Sequence, residues 1–446
     1  MSMRSDCLQR LTLAFAVWLF PFACSAQSPA QSQATTLRLT LQEAVQLAMK
    51  QNPQRLIAKI VAKESDRNRQ IALSALLPQA SLLADADLDQ YNVEIVEKLP
   101  KREPAGPYQY MEAGTGFSQT ILNLPLIRAY QIGKEGVREA NADESAAREQ
   151  VTQLVVTQYL LVLRATAAYE AARARVALAE RLFEQATNLE KTGVGLAIDT
   201  VRANVELQNE RQTLIDTETD TRTTKYGLAE LLDLPSNQVP EPADPLSFFE
   251  LPVYDRESML SRALNQRPEI RSIESQQRIA SLSHKEARDQ ILPALGFKGG
   301  WFYQGEHFSG AIPAYSYEIS LQFPLFTGGR IHAETARASL EEQRISEQRR
   351  ALEDRIVREV KSSLDELEAA RNSVDVANLG LKLANDEVAQ AQRRFQAGVT
   401  TNIEVITAQD ELARASDSQI EALYQFNQSR ANLAVAMGEI ESTYSK

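Results

Sequence analysis

Cysteine is nearly missing from this 446-residue chain, and the two present, Cys7 and Cys24, both lie within the first 26 residues. The rest of the sequence therefore holds no structural disulfide, no thiolate-bound zinc and no thiol nucleophile. Histidine is as scarce, and His284, His307 and His332 are too scattered to suggest a metal cluster. Aromatic residues make up 7%, and 18 glycines with 17 prolines exclude collagen-like and low-complexity classes. Basic charge is in deficit, with 48 Lys and Arg against 59 Asp and Glu for a net charge of −11. Nucleic acid, which needs basic stripes, is not an expected partner. After residue 26 no uncharged apolar run approaches the ~18 residues of a membrane helix, so entry into a bilayer would have to be as a barrel.

What is present begins with an export signal. Arg4 and Arg10 flank the start of the apolar run Leu11–Phe20, and Cys24-Ser25-Ala26 supplies small residues for cleavage after Ala26. The alternative is acylation of Cys24, although Pro21-Phe22-Ala23 lack the leucine expected three places before such a cysteine. Loss of residues 1–26, which carry Arg4, Arg10 and Asp6, takes the net charge from −11 to −12.

Beyond a short segment, 27–38, the sequence is written twice. Leu41-Gln42-Glu43-Ala44 through Asn52-Pro53 is echoed by Arg256-Glu257-Ser258-Met259 through Arg267-Pro268 at an offset of 215, which persists from Leu77-Pro78 to Leu292-Pro293. Gly193-Val194 recurs as Gly398-Val399 at an offset of 205. A supersecondary unit duplicated whole explains this. The first repeat is expected over 39–234, with strands in 78–124 and a helical hairpin over 126–234. The second is expected over 255–440, with strands in 293–326 and a hairpin over 327–438. An irregular linker, 235–254, separates them, and 441–446 form a tail.

Heptads dominate each repeat. Val155, Val162, Tyr169, Val176 and Phe183 recur every seven residues, with Ala165, Ala172, Ala179 and Ala186 three places further on. Val360, Leu367, Val374, Leu381, Val388 and Phe395 do the same with Ala370, Ala377, Ala384 and Ala391. Such seams predict long antiparallel coiled-coil helices over Leu126–Thr192 and Thr327–Ala397, each roughly 100 Å long. Shorter helices of half that length are expected over Leu41–Leu76, Ile198–Leu234, Asp255–Ile291 and Ile403–Gly438, so that a broken rod runs beside each long one.

Between the helices the period changes to two. Tyr315, Tyr317, Ile319, Leu321 and Phe323 alternate with polar residues, as do Leu82, Ala84, Ala86 and Leu88 with Asp85, Asp87 and Asp89. Leu295, Phe297, Trp301 and Tyr303 alternate with Gly296, Lys298, Gly300 and Gln304. One apolar and one polar face fit barrel strands between lipid and water, with Asp85, Asp87, Asp89, Lys298 and Glu318 as lumen-facing candidates. Tyr91, Tyr108, Tyr110, Trp301, Phe302, Tyr303, Tyr315 and Tyr317 read as an interfacial girdle. Four strands cannot enclose a lumen, so at least two copies must share a barrel through head-to-tail contacts.

No catalytic constellation emerges. Gly193-Val194-Gly195 lacks the third glycine and the preceding strand of a dinucleotide site, and there is no P-loop. The chain is expected to be no enzyme and to use no cofactor or metal. An envelope-spanning coiled-coil rod without a pore is the alternative to a channel.

The export signal, the duplicated helix–strand–strand–helix order, the paired Leu-Pro breaks and the entry Phe323-Pro324-Leu325-Phe326-Thr327-Gly328-Gly329-Arg330 resemble the TolC family of bacterial outer-membrane efflux proteins. That resemblance implies an α+β membrane protein: an α-barrel of long helices below a 12-stranded β-barrel shared by a homotrimer. It implies passive export through the outer membrane, with the helices in the periplasm meeting a periplasmic adaptor and an inner-membrane pump. It also implies that Gly193, Val194, Gly195, Leu196 and Ala197, with Gly398, Val399 and Thr400, form adaptor-facing tips. Glu404, just before Val405-Ile406, matches the family's acid at the periplasmic aperture. Asp199 stands one place early relative to Val201, and Thr407 occupies the place of a second acid, so a double acidic ring is not expected. The 16 extra residues of the first strand pair fall around Glu94–Pro107 and read as an enlarged outer loop. Which substrate is exported is not written in the sequence.

Overall fold

The computed structural model describes residues 35–92, 104–250 and 254–445. The expected export signal, Cys24 and the centre of the expected outer loop lie outside the described residues. In chain order, β1 (Thr35–Leu39) leads into α1 (Leu41–Gln51), α2 (Pro53–Ser74), β2 (Gln79–Asn92), β3 (Pro104–Leu122), α3 (Leu124–Lys191) and α4 (Ala197–Leu231). After β4 (Gln238–Pro242) come α5 (Arg256–Gln266), α6 (Pro268–Asp289), β5 (Ala294–Gly305), β6 (Ile312–Gln322), α7 (Arg330–Gln396), α8 (Asn402–Met437) and α9 (Ile440–Tyr444). The order helix, helix, strand, strand, long helix, helix thus occurs twice. The long helices have 68 and 67 residues, and their partners 35 and 36.

Local chemistry sets the breaks. Thr40 closes a capping box with Glu43 at the start of α1. Asn52 then ends α1 and caps α2, its side chain accepting from the N–H groups of Gln54 and Arg55. Its backbone is extended, as is that of Arg267 at the matching junction, because each precedes a proline whose ring excludes the helical conformation. The expected unbroken helices Leu41–Leu76 and Asp255–Ile291 are therefore two helices each. The second long helix begins at Arg330 rather than Thr327, because Gly328 and Gly329 take left-handed φ values of 61° and 83°.

The heptad seams face inward. Val155, Val162, Val176, Ala165, Ala172, Ala179 and Ala186 are buried on α3, as are Val360, Leu367, Val374, Val388 and Phe395 on α7. Tyr169, Phe183, Leu381 and Ala377 are half-buried. Near the sheet the helices pack in the order α2–α3–α6–α7, and towards the tips in the order α4–α3–α8–α7. The long helices run through both tiers, while short ones replace each other end to end. The one 18-residue window of α3 apolar enough for a membrane span is half buried, and this helix supplies the largest share of a core that includes Val151, Val155, Tyr159 and Val162.

A small sheet, absent from the sequence reading, lies against α1, α3 and α4. Strand β1 pairs in parallel with β4, Thr35 with Gln238 through Leu39 with Pro242. The expected irregular linker therefore contains a strand. Tyr159, fully buried, donates to the carbonyl of Leu39 at 3.0 Å or to Asp244 at 2.9 Å, and Asp244 accepts from the N–H of Leu41 at 2.7 Å. Burial first, and then Asp244, push the Tyr159 phenol well above its ordinary value. Phe248 and Phe249 pack on Phe426, and the Arg430 guanidinium stacks on Phe249. Tyr159→Phe takes one donor from the half-buried acceptors of Leu39 and Asp244. It is expected to lower stability by about 1–3 kcal/mol, read as a lower thermal midpoint with unchanged helix content by circular dichroism.

Candidate functional site

Four strands, in the order β2-β3-β5-β6 and all antiparallel, form the second sheet. Register assigns every side chain to a face. One row runs Gln79–Ser118–Lys298–Glu318, two residues on it runs Ser81–Gly116–Gly300–Ser316, and further along lies Asp85–Glu112–Gln304. Asp87 and Asp89 continue that face on β2, so Asp85, Asp87, Asp89, Lys298 and Glu318 share one side. The alternate rows are Gln119–Phe297–Ile319, Ala80–Phe117–Gly299–Tyr317, Leu82–Thr115–Trp301–Tyr315 and Ala84–Ala113–Tyr303–Pro313. This apolar face is bare: Leu82 is 82% exposed, Ile319 71%, Tyr315 70% and Trp301 59%. Its aromatics touch one another, Phe117 on Phe297 and Tyr315 on both Trp301 and Tyr317.

Three members of the expected girdle stand on the other face. Tyr108 and Tyr110 pair with Asp89 and Asp87, and Tyr110 donates to Glu112 at 2.6 Å. The ring of Phe302 lies against Gly300, the glycine leaving the space it needs. Part of the longer first strand pair is strand rather than loop, since β2 and β3 remain paired to Asn92 and Pro104, beyond the last β3–β5 partners, Met111 and Gly305. Among the described residues, β2 and β6 have one edge each without a strand partner.

At the far end the two hairpins turn at Gly193 and Gly398, with φ of 77° and 70°. Each turn returns N–H groups to the preceding helix: Val194 donates to Leu189 and Val399 to Arg394. Val194 and Val399 are 78% and 70% exposed, and Leu196 is exposed as well. The tips meet through a cluster containing Leu182, Ala186, Ala203, Val388, Phe395, Val405 and Ala408. Asp199 and Glu404, equivalent in the repeat, are held differently. Asp199 is buried and lies 3.6 Å from Arg202, while its carbonyl accepts from the Asn402 amide at 2.8 Å. Glu404 is half-buried, pairs with Arg394 at 3.2 Å and accepts from the Thr400 hydroxyl. Asn402, fully buried at the first turn of α8, was not singled out by sequence reasoning, since only the opposing tip explains it.

The outer helices carry apolar side chains with nothing packed on them. On α2 these are Leu56, Ile57, Ile60, Val61 and Ile71, and on α7 Leu340, Val376, Leu379 and Leu383. The spacing on α2 was a legible signal that the heptads of the long helices overshadowed. Among the described residues no group of acids or histidines is arranged to hold a metal.

The family model for outer membrane efflux proteins matches residues 259–439, the second half of the element order. The chain is similar to the TolC family of outer-membrane efflux proteins. It is 22% identical over 386 residues to the outer membrane protein TolC of Vibrio cholerae, covering 82% of this chain and 83% of that one. It is 23% identical to the pyoverdine export outer membrane protein OpmQ of Pseudomonas aeruginosa, over 70% of this chain and 66% of that protein. In fold it is similar to the CmeC outer membrane channel of Campylobacter jejuni, with a TM-score of 0.79, 18% identity and coverage of 90% and 85%. The outer membrane is therefore where this chain resides. If the bare face of the sheet meets lipid, a charge on it should cost about 2–4 kcal/mol near the bilayer centre. Ile319→Arg is expected to abolish insertion into liposomes, whereas Ser320→Arg, its neighbour on the polar face, should insert like the parent.

Proposed function

We propose that three copies of this chain form the exit duct of an efflux or type I secretion assembly, passing substrate passively from a periplasm-spanning pump to the exterior. One observation carries this reading: four strands present a continuous apolar face and a continuous polar face, with an unpaired edge on each side. In lipid each edge needs a partner, and head-to-tail copies supply one while leaving the polar face around water. Residues 313–321 of β6 mark the apolar band, about 30 Å along the strand and roughly 20–25 Å across the bilayer at the tilt usual for such barrels. Twelve strands fall within the sizes such barrels adopt. Bare side chains lie on opposite flanks of the helical layer, on α2 and at Leu340 of α7 near the sheet and at Val201, Val205 and Ile215 of α4 and Val376, Leu379 and Leu383 of α7 towards the tips, as head-to-tail neighbours require.

In this reading the two repeats, 39–234 and 255–440, are a tandem duplication joined by the linker 235–254, preceded by the export signal 1–26 and followed by the tail 441–446. The tips Gly193–Ala197 and Gly398–Thr400 face a periplasmic adaptor, and Glu404 with Asp199 sits at the narrow end. Asp85, Asp87, Asp89, Lys298 and Glu318 face the water column, four of the five being acids, which favours cations over anions. The role is transport rather than catalysis. A water-soluble rod without a pore has no use for the bare aromatic face of the sheet.

Detergent-extracted protein is expected to run as a trimer and conduct in planar bilayers. Ile57→Asp with Ile60→Asp should dissociate it, and Glu404→Ala should change the conductance of intact trimers. A monomer that stays dispersed in water without detergent would overturn the proposal.

A further inference from the structure

The two hairpins touch between the tips and mid-height through a set of charges that does not balance. Arg175, on α3, reaches both neighbours: its Nε lies 3.3 Å from Glu210 on α4, and its guanidinium donates to Asp417 on α8 at 2.9 Å. It is the ion pair between the hairpins nearest the tips, Arg164 with Glu421 standing further up at 3.2 Å. Glu206, one turn before Glu210 on α4, faces Asp410 of α8, so four carboxylates share one guanidinium. The other arginines of this stretch are engaged elsewhere, Arg211 by Glu180 and Arg414 by Glu411. Geometry limits the bond further, since Arg175 Nε and Glu210 Oε2 are shielded from solvent yet make no hydrogen bond.

We propose that Arg175, held by Asp417, is a latch of limited strength between the hairpins, opposed by the crowding of Glu206, Glu210 and Asp410, so that proton uptake by Glu206 and Glu210 tightens the α4–α8 contact and acid narrows the duct. The sign follows from the surroundings. Burial first, then Asp410 and Glu210, raise the affinity of Glu206 for a proton; burial raises that of Glu210 despite Arg175, helped by Asp410 and Asp417. Parting the hairpins returns both groups towards ordinary behaviour. Protons therefore favour the touching state, and that preference fades as pH rises above the ordinary carboxylate value of 4.5 and through the raised ones. The latch is separate from Glu404 and Asp199, which lie at the turns themselves.

The narrowing of a duct rests on the function proposed above; the approach of the helices does not, and two measurements separate them. In the full trimer, spin labels at Gln212→Cys on α4 and Ser418→Cys on α8 should move closer between pH 7.5 and pH 5. Glu206→Gln with Glu210→Gln should give the short distance at both pH values, and Arg175→Gln the long one, with Asp417→Asn as a second route to the same release. In planar bilayers the open probability should fall over the same interval, by roughly tenfold for each pK unit of coupling, and the double glutamine variant should lose that dependence. A label distance that does not change with pH, or that titrates as in the parent after both glutamates are replaced, overturns the latch. Absence of current at every pH with a normal shift in distance counts against the duct and supports the latch.

Discussion

A strand held in hydrocarbon must find a hydrogen-bond partner for both of its edges, because no water is there to take the place of one. Four strands from one chain leave two edges open, and that shortfall organises the rest of the molecule. In the function proposed above it calls for a ring of copies, and a ring requires that every flank offered to a neighbour be complementary to the opposite flank. The apolar rows of α2 and α7 extend the same requirement from the sheet into the helical tier. Sheet and helices are thus two solutions to one problem of closure, the first made with backbone hydrogen bonds and the second with side-chain packing.

Much of this was legible in the amino-acid order because the dominant forces leave periodic marks. Valine and alanine at seven-residue spacing mark the seams of α3 and α7, and the buried residues fall on those positions. The switch to a two-residue period marks the strands, and the register places Trp301, Tyr315 and Tyr317 on one side and Lys298 and Glu318 on the other. The helical and strand segments and the polarity of the two sheet faces follow from these local rules.

What stayed hidden is non-local. Strand β4 contains Pro240 and Pro242 and pairs with a segment some two hundred residues earlier, so neither periodicity nor propensity announces it. Tyr159 reads as one more apolar position of α3 until Leu39 and Asp244 are brought to its hydroxyl. The break at Asn52-Pro53 was visible as a proline that recurs at Pro268, but the helical period on both sides concealed its geometry. At the tips, Asp199 and Glu404 occupy equivalent places and differ in surroundings because Arg394 has no counterpart in the first hairpin, where Leu189 stands.

Closure by neighbours is also the claim most open to direct test. Hydrogen exchange of the backbone amides of β2 and β6, followed in trimers reconstituted into lipid, reads the two edges separately from the interior strands β3 and β5. The proposed ring predicts that the edge amides exchange as slowly as those of the interior strands, since each is bonded to the next copy. Fast exchange along β2 or β6 in membranes that conduct would contradict it.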